Sequence, residues 1–231
     1  MNARRMRSLL HRQAGAGLPL GLVRWAAMAV AGLGGASPGT AQSLYLEVQG
    51  DRSTFNEALA DDRLTGFGAA GSARWDGGTW EVEGEVAWRS MSPAAEDRDG
   101  SVTFLSGGVR GRYAVWRTLS VELGWESRTA DPQFAAQDLG MALLGLHYGT
   151  QLTSLADLWV RGAAIPFSSF NGGGEASIGI GLGMGLRVGP PTAAWRAVLE
   201  YGFRRIDRTV RDVDVPIQVE GIRIGVEYAV F

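Results

Sequence analysis

Beyond residue 41 the chain has one histidine, His147, in the run His147-Tyr148-Gly149-Thr150. Hydrolysis of a lipid or peptide needs a base of this kind beside an activated hydroxyl or a carboxylate, so such an activity would hinge on His147. A single imidazole with no partner motif reads better as structural, and no catalytic residue is assigned. Asp97-Arg98-Asp99-Gly100 looks like a fragment of a calcium loop. The bidentate Glu that completes such a loop is missing, so a solvated turn is the reading, and no metal is expected. Gly179, Gly181, Gly183 and Gly185 alternate with aliphatic residues, and no helix follows to cradle a phosphate. No cofactor is expected. The chain has no cysteine, which excludes disulfide scaffolds and thiolate metal sites. Its 22 basic residues, all Arg, nearly match 24 acids, which excludes a nucleic-acid binder relying on bulk positive charge.

What remains is a set of charges with a regular spacing. In residues 79–89, Trp80, Val82, Gly84, Val86 and Trp88 share one face, while Glu81, Glu83, Glu85 and Arg89 share the other. A period of two is the strand period; a helix would mix both sets around its cylinder. Reading from Ser43 onward in this way gives ten strands: 43–50, 66–76, 79–89, 102–115, 119–127, 138–149, 156–165, 175–188, 193–206 and 217–230. In 138–149 both faces are apolar, and in 156–165 Trp159 shares a face with Asp157 and Arg161, so these two are the least regular.

The first 41 residues read as an address. Arg4, Arg5, Arg7, Arg12 and Arg24 precede any acid, residues 25–36 are apolar, and small residues lead to a cut between Ala41 and Gln42. This is the pattern of a cleaved secretory signal, with Met6 an alternative start. The apolar stretch is too short for a spanning helix, which needs about 20 residues. Residues 42–231 would then form the mature domain. Loss of five Arg leaves 17 basic against 24 acidic residues, a net charge of −7.

Connections between the strands alternate in length. Gly77-Gly78, 116–118, 150–155 and 189–192 are short; 51–65, 90–101, 128–137, 166–174 and 207–216 are long. Short turns at one end and long loops at the other, with an even strand count, are the topology of an up-and-down transmembrane barrel. Ten strands are expected, with eight the next choice. In such a barrel the apolar face meets lipid and the polar face lines the lumen. Composition supports that inversion: Trp75, Trp80, Trp88, Tyr113, Trp125, Trp195 and Tyr228 lie on the apolar face, mostly at strand ends. Indole and phenol rings favour the membrane interface because one end is apolar and the other can hydrogen-bond.

The opposite face carries acids and arginines in similar number. Glu81, Glu83, Glu85, Glu122, Glu200 and Glu227 are expected to pair with Arg110, Arg112, Arg196 and Arg223. Ten strands enclose a lumen little wider than one that side chains fill, so this mesh should obstruct flow. The glycines at 179–185 leave one inner wall bare, either to seat long side chains or to leave a narrow water path. The long loops hold an excess of acids, among them Asp51, Glu57 and Asp131, over arginines such as Arg52, Arg63, Arg128 and Arg208. They are read as a solvated rim.

The last nine residues, Arg223-Ile-Gly225-Val-Glu-Tyr228-Ala-Val230-Phe231, resemble the terminal signature of bacterial outer-membrane β-barrels: polar-x-Gly-x-x-aromatic-x-hydrophobic, usually ending in Phe. Arg223, Gly225, Tyr228 and Val230 fit in register, and Phe231 lies one place beyond. The resemblance implies delivery to the cell outer membrane by the barrel assembly machinery after Sec-type export, in contact with outer-membrane lipid and lipopolysaccharide. The expectation is therefore a porin-like Gram-negative barrel, not an enzyme, with a largely closed lumen and a structural or surface-interaction role. A narrow pore or small-solute channel is the alternative, and a hydrolase using His147 the second alternative.

Overall fold

The computed structural model describes residues 43–57, 62–94, 101–131, 138–171 and 174–230, and among them the regular structure is all β. Alternation of side chains across the strand is what makes these segments pair, because each then has one face for lipid and one for the interior. In chain order the strands are β1 (Ser43–Glu57), β2 (Asp62–Asp76), β3 (Trp80–Pro93), β4 (Val102–Ala114), β5 (Leu119–Asp131), β6 (Leu139–Thr153) and β7 (Ala156–Phe170). They continue with β8 (Glu175–Ala176), β9 (Gly179–Val188), β10 (Trp195–Ile206), β11 (Arg208–Val210), β12 (Val213–Asp214) and β13 (Ile217–Ala229). Ten of these close into one antiparallel barrel, in the order β1-β13-β10-β9-β7-β6-β5-β4-β3-β2, with β1 paired to β13 at the seam. The expected ten-stranded up-and-down architecture is the observed one.

Two expectations about boundaries are corrected. The run 175–188 is not one strand. Glu175, in the first part of that run, is exposed in β8, which joins β11 and β12 in a separate three-stranded sheet. The tip of that β11–β12 hairpin turns through Arg211 (φ 51) and Asp212 (φ 65). The strands also run further into the stretches expected as long loops: Asp51, Arg52, Glu57, Arg63, Arg128 and Asp131 all belong to β1, β2 or β5, and Arg208 to β11.

The reason is a reversal of polarity partway along the wall. From the short-turn end, outward residues are apolar up to Phe67, Trp88, Leu105, Trp125, Phe167 and Ile222. At that height on β1 and beyond it on the other strands the outward positions become Arg52, Ser90, Thr103, Ser127, Arg205 and Glu220. Inward positions reverse at about the same height, from Glu and Arg to Phe55, Met91, Val102, Phe104, Ala130 and Ile217, which form one buried cluster. A second cluster, Leu139, Met141, Leu143, Ile165 and Ile206, adjoins Phe170 and Ala176. The barrel is thus inside-out where it meets lipid and of the ordinary water-soluble polarity where it rises above it. The strand period never breaks; only its sense changes.

The two irregular strands have a local cause. Between Ala142 and Leu144 the β6–β7 register shifts, and Pro166, which has no N–H to give the ladder, sits in that bulge. The extra residue is on β7, so β6 alternates without a break, with Met141 and Leu143 inside, nearly fully buried, and Leu144 and Leu146 outside. At the short-turn end the β2–β3 connection needs Gly78, whose φ is 83, and its N–H donates to Asp76 Oδ1 at 2.8 Å.

Candidate functional site

Ionic groups fill the interior from the short turns to mid-height, placed there by alternate residues of nine of the ten strands. Nearest the turns, Glu227 on β13 accepts from Arg74 on β2 (2.6 Å) and from Arg196 on β10 (3.0 Å), with Arg187 Nε 3.1 Å away. Arg74 also lies over the ring of Tyr45, 4.4 Å from its centroid. Beside this knot Arg112 donates to Glu81, to Glu83 (2.9 Å) and to Glu122 (2.9 Å). Arg110 is 3.3 Å from Glu83 and 3.7 Å from Glu85.

At mid-height the pairs span the lumen. Arg204 on β10 makes a two-pronged contact with Glu126 on β5, 2.8 Å for each oxygen. Arg223 on β13 does the same with Glu85 on β3 at 3.1 Å. Arg161 reaches Glu200 (3.2 Å), and Arg89 reaches Asp51 (2.8 Å). Two-pronged Arg–carboxylate contacts fix both side chains in one orientation, which suits a site with little free space. Glu81, Glu83, Glu85, Arg110, Arg112, Glu122, Arg196, Glu200, Arg223 and Glu227, picked from spacing alone, all lie inside and all take part in this mesh. Asp51 belongs to it too, on β1 and not in a loop. Its signal was the continued period of two after Glu47 and Gln49.

Above the mesh two arginines sit in the apolar layer. Arg128 lies over the rings of Phe55 (5.2 Å) and Phe104 (4.9 Å). Arg208 donates to Glu57 and lies 4.8 Å from the centre of the Phe170 ring. Both are expected from the sequence in solvated loops; the aromatic face beside each guanidinium helps to make its burial tolerable.

The bare glycine wall is mostly occupied. A Cβ at Gly185 would come within 2.6 Å of the Trp159 indole, and one at Gly183 within 2.7 Å of Arg161 Nε. Those two glycines are seats for side chains of the neighbouring strand. At Gly181 nothing comes nearer than 3.9 Å. There a cavity of about 90 Å³ remains, bounded also by Gly202, Gly221 and the mid-height ion pairs. A smaller one of about 30 Å³ lies toward the turns beside His147 and Trp159. Such spaces hold a few waters. His147 stacks on Trp159, 5.9 Å between ring centres, at the short-turn end of the lumen.

The aromatic residues lie outside the wall. Trp80 packs on Tyr113 (4.6 Å) and Trp195 on Tyr228 (4.4 Å) at the turn end, with Trp75 on the same outer face. Trp88 and Trp125 stand at the other edge of the apolar band, the latter stacked on Phe167. In the terminal segment Arg223 and Gly225 point inward and Tyr228 and Val230 outward. A Cβ at Gly225 would lie 2.1 Å from the Val48 carbonyl oxygen, so the close approach of the closing strand requires glycine. Phe231, residues 1–41 and the Asp97–Gly100 run lie outside the described residues.

No family model and no curated protein sequence matches the chain. Several solved structures are similar in outline. Neisserial surface protein A is 14% identical over 81% of this chain and 98% of its own, with a TM-score of 0.36. An outer membrane channel from Pseudomonas putida F1 is 12% identical over 85% and 98%, at 0.46. LpxR from Salmonella typhimurium is 10% identical over 80% and 99%, at 0.48. Similarity at this level transfers no property of those proteins. The closed antiparallel wall of ten strands, its apolar exterior and its ionic interior give the chain the fold of a transmembrane β-barrel.

Proposed function

We propose that this protein is an integral barrel of the bacterial outer membrane whose lumen is shut, and that it acts through its outer and loop-end surfaces. The observation that carries this reading is the double filling of the interior: Arg–carboxylate pairs from the turn end to mid-height, and Phe55, Met91, Phe104, Met141, Ile165 and Ile206 above them. A dissolved ion would have to break both layers. The sequence-level expectations of a cleaved signal over residues 1–41, Sec-type export and assembly by the barrel machinery belong to the same proposal.

Planar-bilayer recording on the refolded barrel tests it. No steady current steps are expected in wild type. The cavity beside Gly181 and Gly202 favours a second reading, a narrow path for water or a small solute. Regular open-channel steps would replace the first reading by that one.

A further inference from the structure

The barrel strands present three arginines outward, and all three stand on one sector of the wall. Of the Arg residues in barrel strands, 74, 89, 110, 112, 128, 161, 187, 196, 204 and 223 face the interior; Arg52 on β1, Arg63 on β2 and Arg205 on β10 face out. These strands and β13 are consecutive neighbours in the wall. Register makes the grouping tighter. Arg205 pairs with Gln218, Gln218 with Asn56, and Asn56 with Arg63, so one cross-strand row reads Arg-Gln-Asn-Arg. At about 4.8 Å per strand, its two arginines start roughly 14 Å apart. Arg52 stands lower, its guanidinium 5.7 Å from the centre of the Phe67 ring, beside Ile222 and therefore at the top of the apolar band. Around the rest of the rim the corresponding outward residues are Ser90, Ser92, Thr103, Ser127, Thr129, Asp131 and Ser169.

We infer that this sector, β10-β13-β1-β2, is a binding site for the phosphate groups of a glycolipid in the outer leaflet. The height is that of lipid headgroups, since apolar residues stop and polar ones begin there. Guanidinium forks match phosphate oxygens, and Asn56, Gln218, Thr54 and Thr65 supply neutral donors between them. Two carboxylates temper the charge: Asp207 accepts from Arg205 at 2.8 Å, and Glu220 is 4.0 Å from Arg63. Among the described outward residues of the barrel strands and Asp207, three arginines against two acids leave the sector at +1, while the outward residues named for the rest of the wall are neutral or acidic. Glu220 stands among the three arginines and is the group a phosphate has to displace.

The inference rests on the outer-membrane reading, with the long-loop end outward. The test uses the full barrel in phosphatidylcholine vesicles with a small fraction of diphosphoryl lipid A, of lipid A stripped of phosphate, or of no lipid A. Bound lipid is counted by native mass spectrometry after gentle extraction. Retention of diphosphoryl lipid A above the stripped form is expected. Arg52→Gln, Arg63→Gln and Arg205→Gln should each weaken it about tenfold, as loss of a charge-assisted contact implies. Glu220→Gln should strengthen it, and Arg117→Gln, in the β4–β5 turn, should leave it unchanged. Competition by millimolar free phosphate separates a headgroup site from a general anion site: lipid retention that persists supports the glycolipid, and retention that is abolished overturns it. Equal retention of both lipids, or no response to the three arginine variants, also overturns it. Failure of the protein to insert, read from loss of heat-modifiable gel mobility, would instead strike the outer-membrane reading.

Discussion

Glu227 is nearly fully buried; it accepts hydrogen bonds from Arg74 and Arg196 and forms an ion pair with Arg187, which makes it the most connected carboxylate near the turn end. Replacing it with Gln leaves three buried guanidinium groups short of a partner. A loss of about 3–5 kcal/mol is expected, read from the urea midpoint of the barrel in vesicles. The charge of Asp157 lies 2.9 Å from Arg196 and limits, without cancelling, that loss. The glycine wall offers a second test at this scale. Gly185→Val drives a branched side chain into the Trp159 indole and should cost about 1–3 kcal/mol, while Gly181→Ala, with open space before it, should be close to neutral. These residues were legible as inward-facing from spacing alone. Which acid serves which arginine was not, because the partners lie on strands that register, and not sequence distance, brings together.

At the scale of the strand, the informative feature is the change of polarity along its length. Leu123 and Thr129 both point outward from β5, and Leu123 is 65% exposed. Leu123→Arg places a charge within the apolar band and should cost about 2–4 kcal/mol, whereas Thr129→Arg, beyond that band, should cost about 0–1 kcal/mol. Unfolding in phospholipid vesicles measures both. Equal costs would mean that the change of side-chain polarity does not mark the edge of the bilayer. The same change explains why apolar alternation predicts shorter strands than those observed. A search for apolar residues on one face stops where they move to the other, although Phe55, Met91 and Ala130 continue the alternation. The β6–β7 bulge was similarly invisible, since a run with two apolar faces has no preferred phase until its neighbours impose one.

For the molecule as a whole, the ion pairs that cross the lumen tie distant strands together. Arg204 and Glu126 are 78 residues apart in sequence and meet through two hydrogen bonds. Removing Glu126 leaves Arg204 without its two-pronged partner, and removing Arg204 leaves Glu126 with the longer contact to Arg110 (3.9 Å), so Arg204→Ala and Glu126→Ala should each cost more than half of what the double variant does. The coupling expected from the cycle is about 0.5–3 kcal/mol. The double variant should still show no steady bilayer current, because the apolar layer above the pair remains. Conduction in it would locate the seal in the ionic mesh alone. What the sequence by itself determined was the number of barrel strands, the face taken by residues in the regularly alternating strands and the inverted polarity of the lipid-facing wall. All three follow from a two-residue period and from where aromatic and charged residues fall within it, which are local properties of the chain. Tertiary structure alone decided the pairing of charges, the apolar closure of the loop end and the arginine row on one sector. Each of those depends on the heights at which ten strands align when the sheet closes, and the seam between β1 and β13 fixes that alignment only once the whole wall has formed.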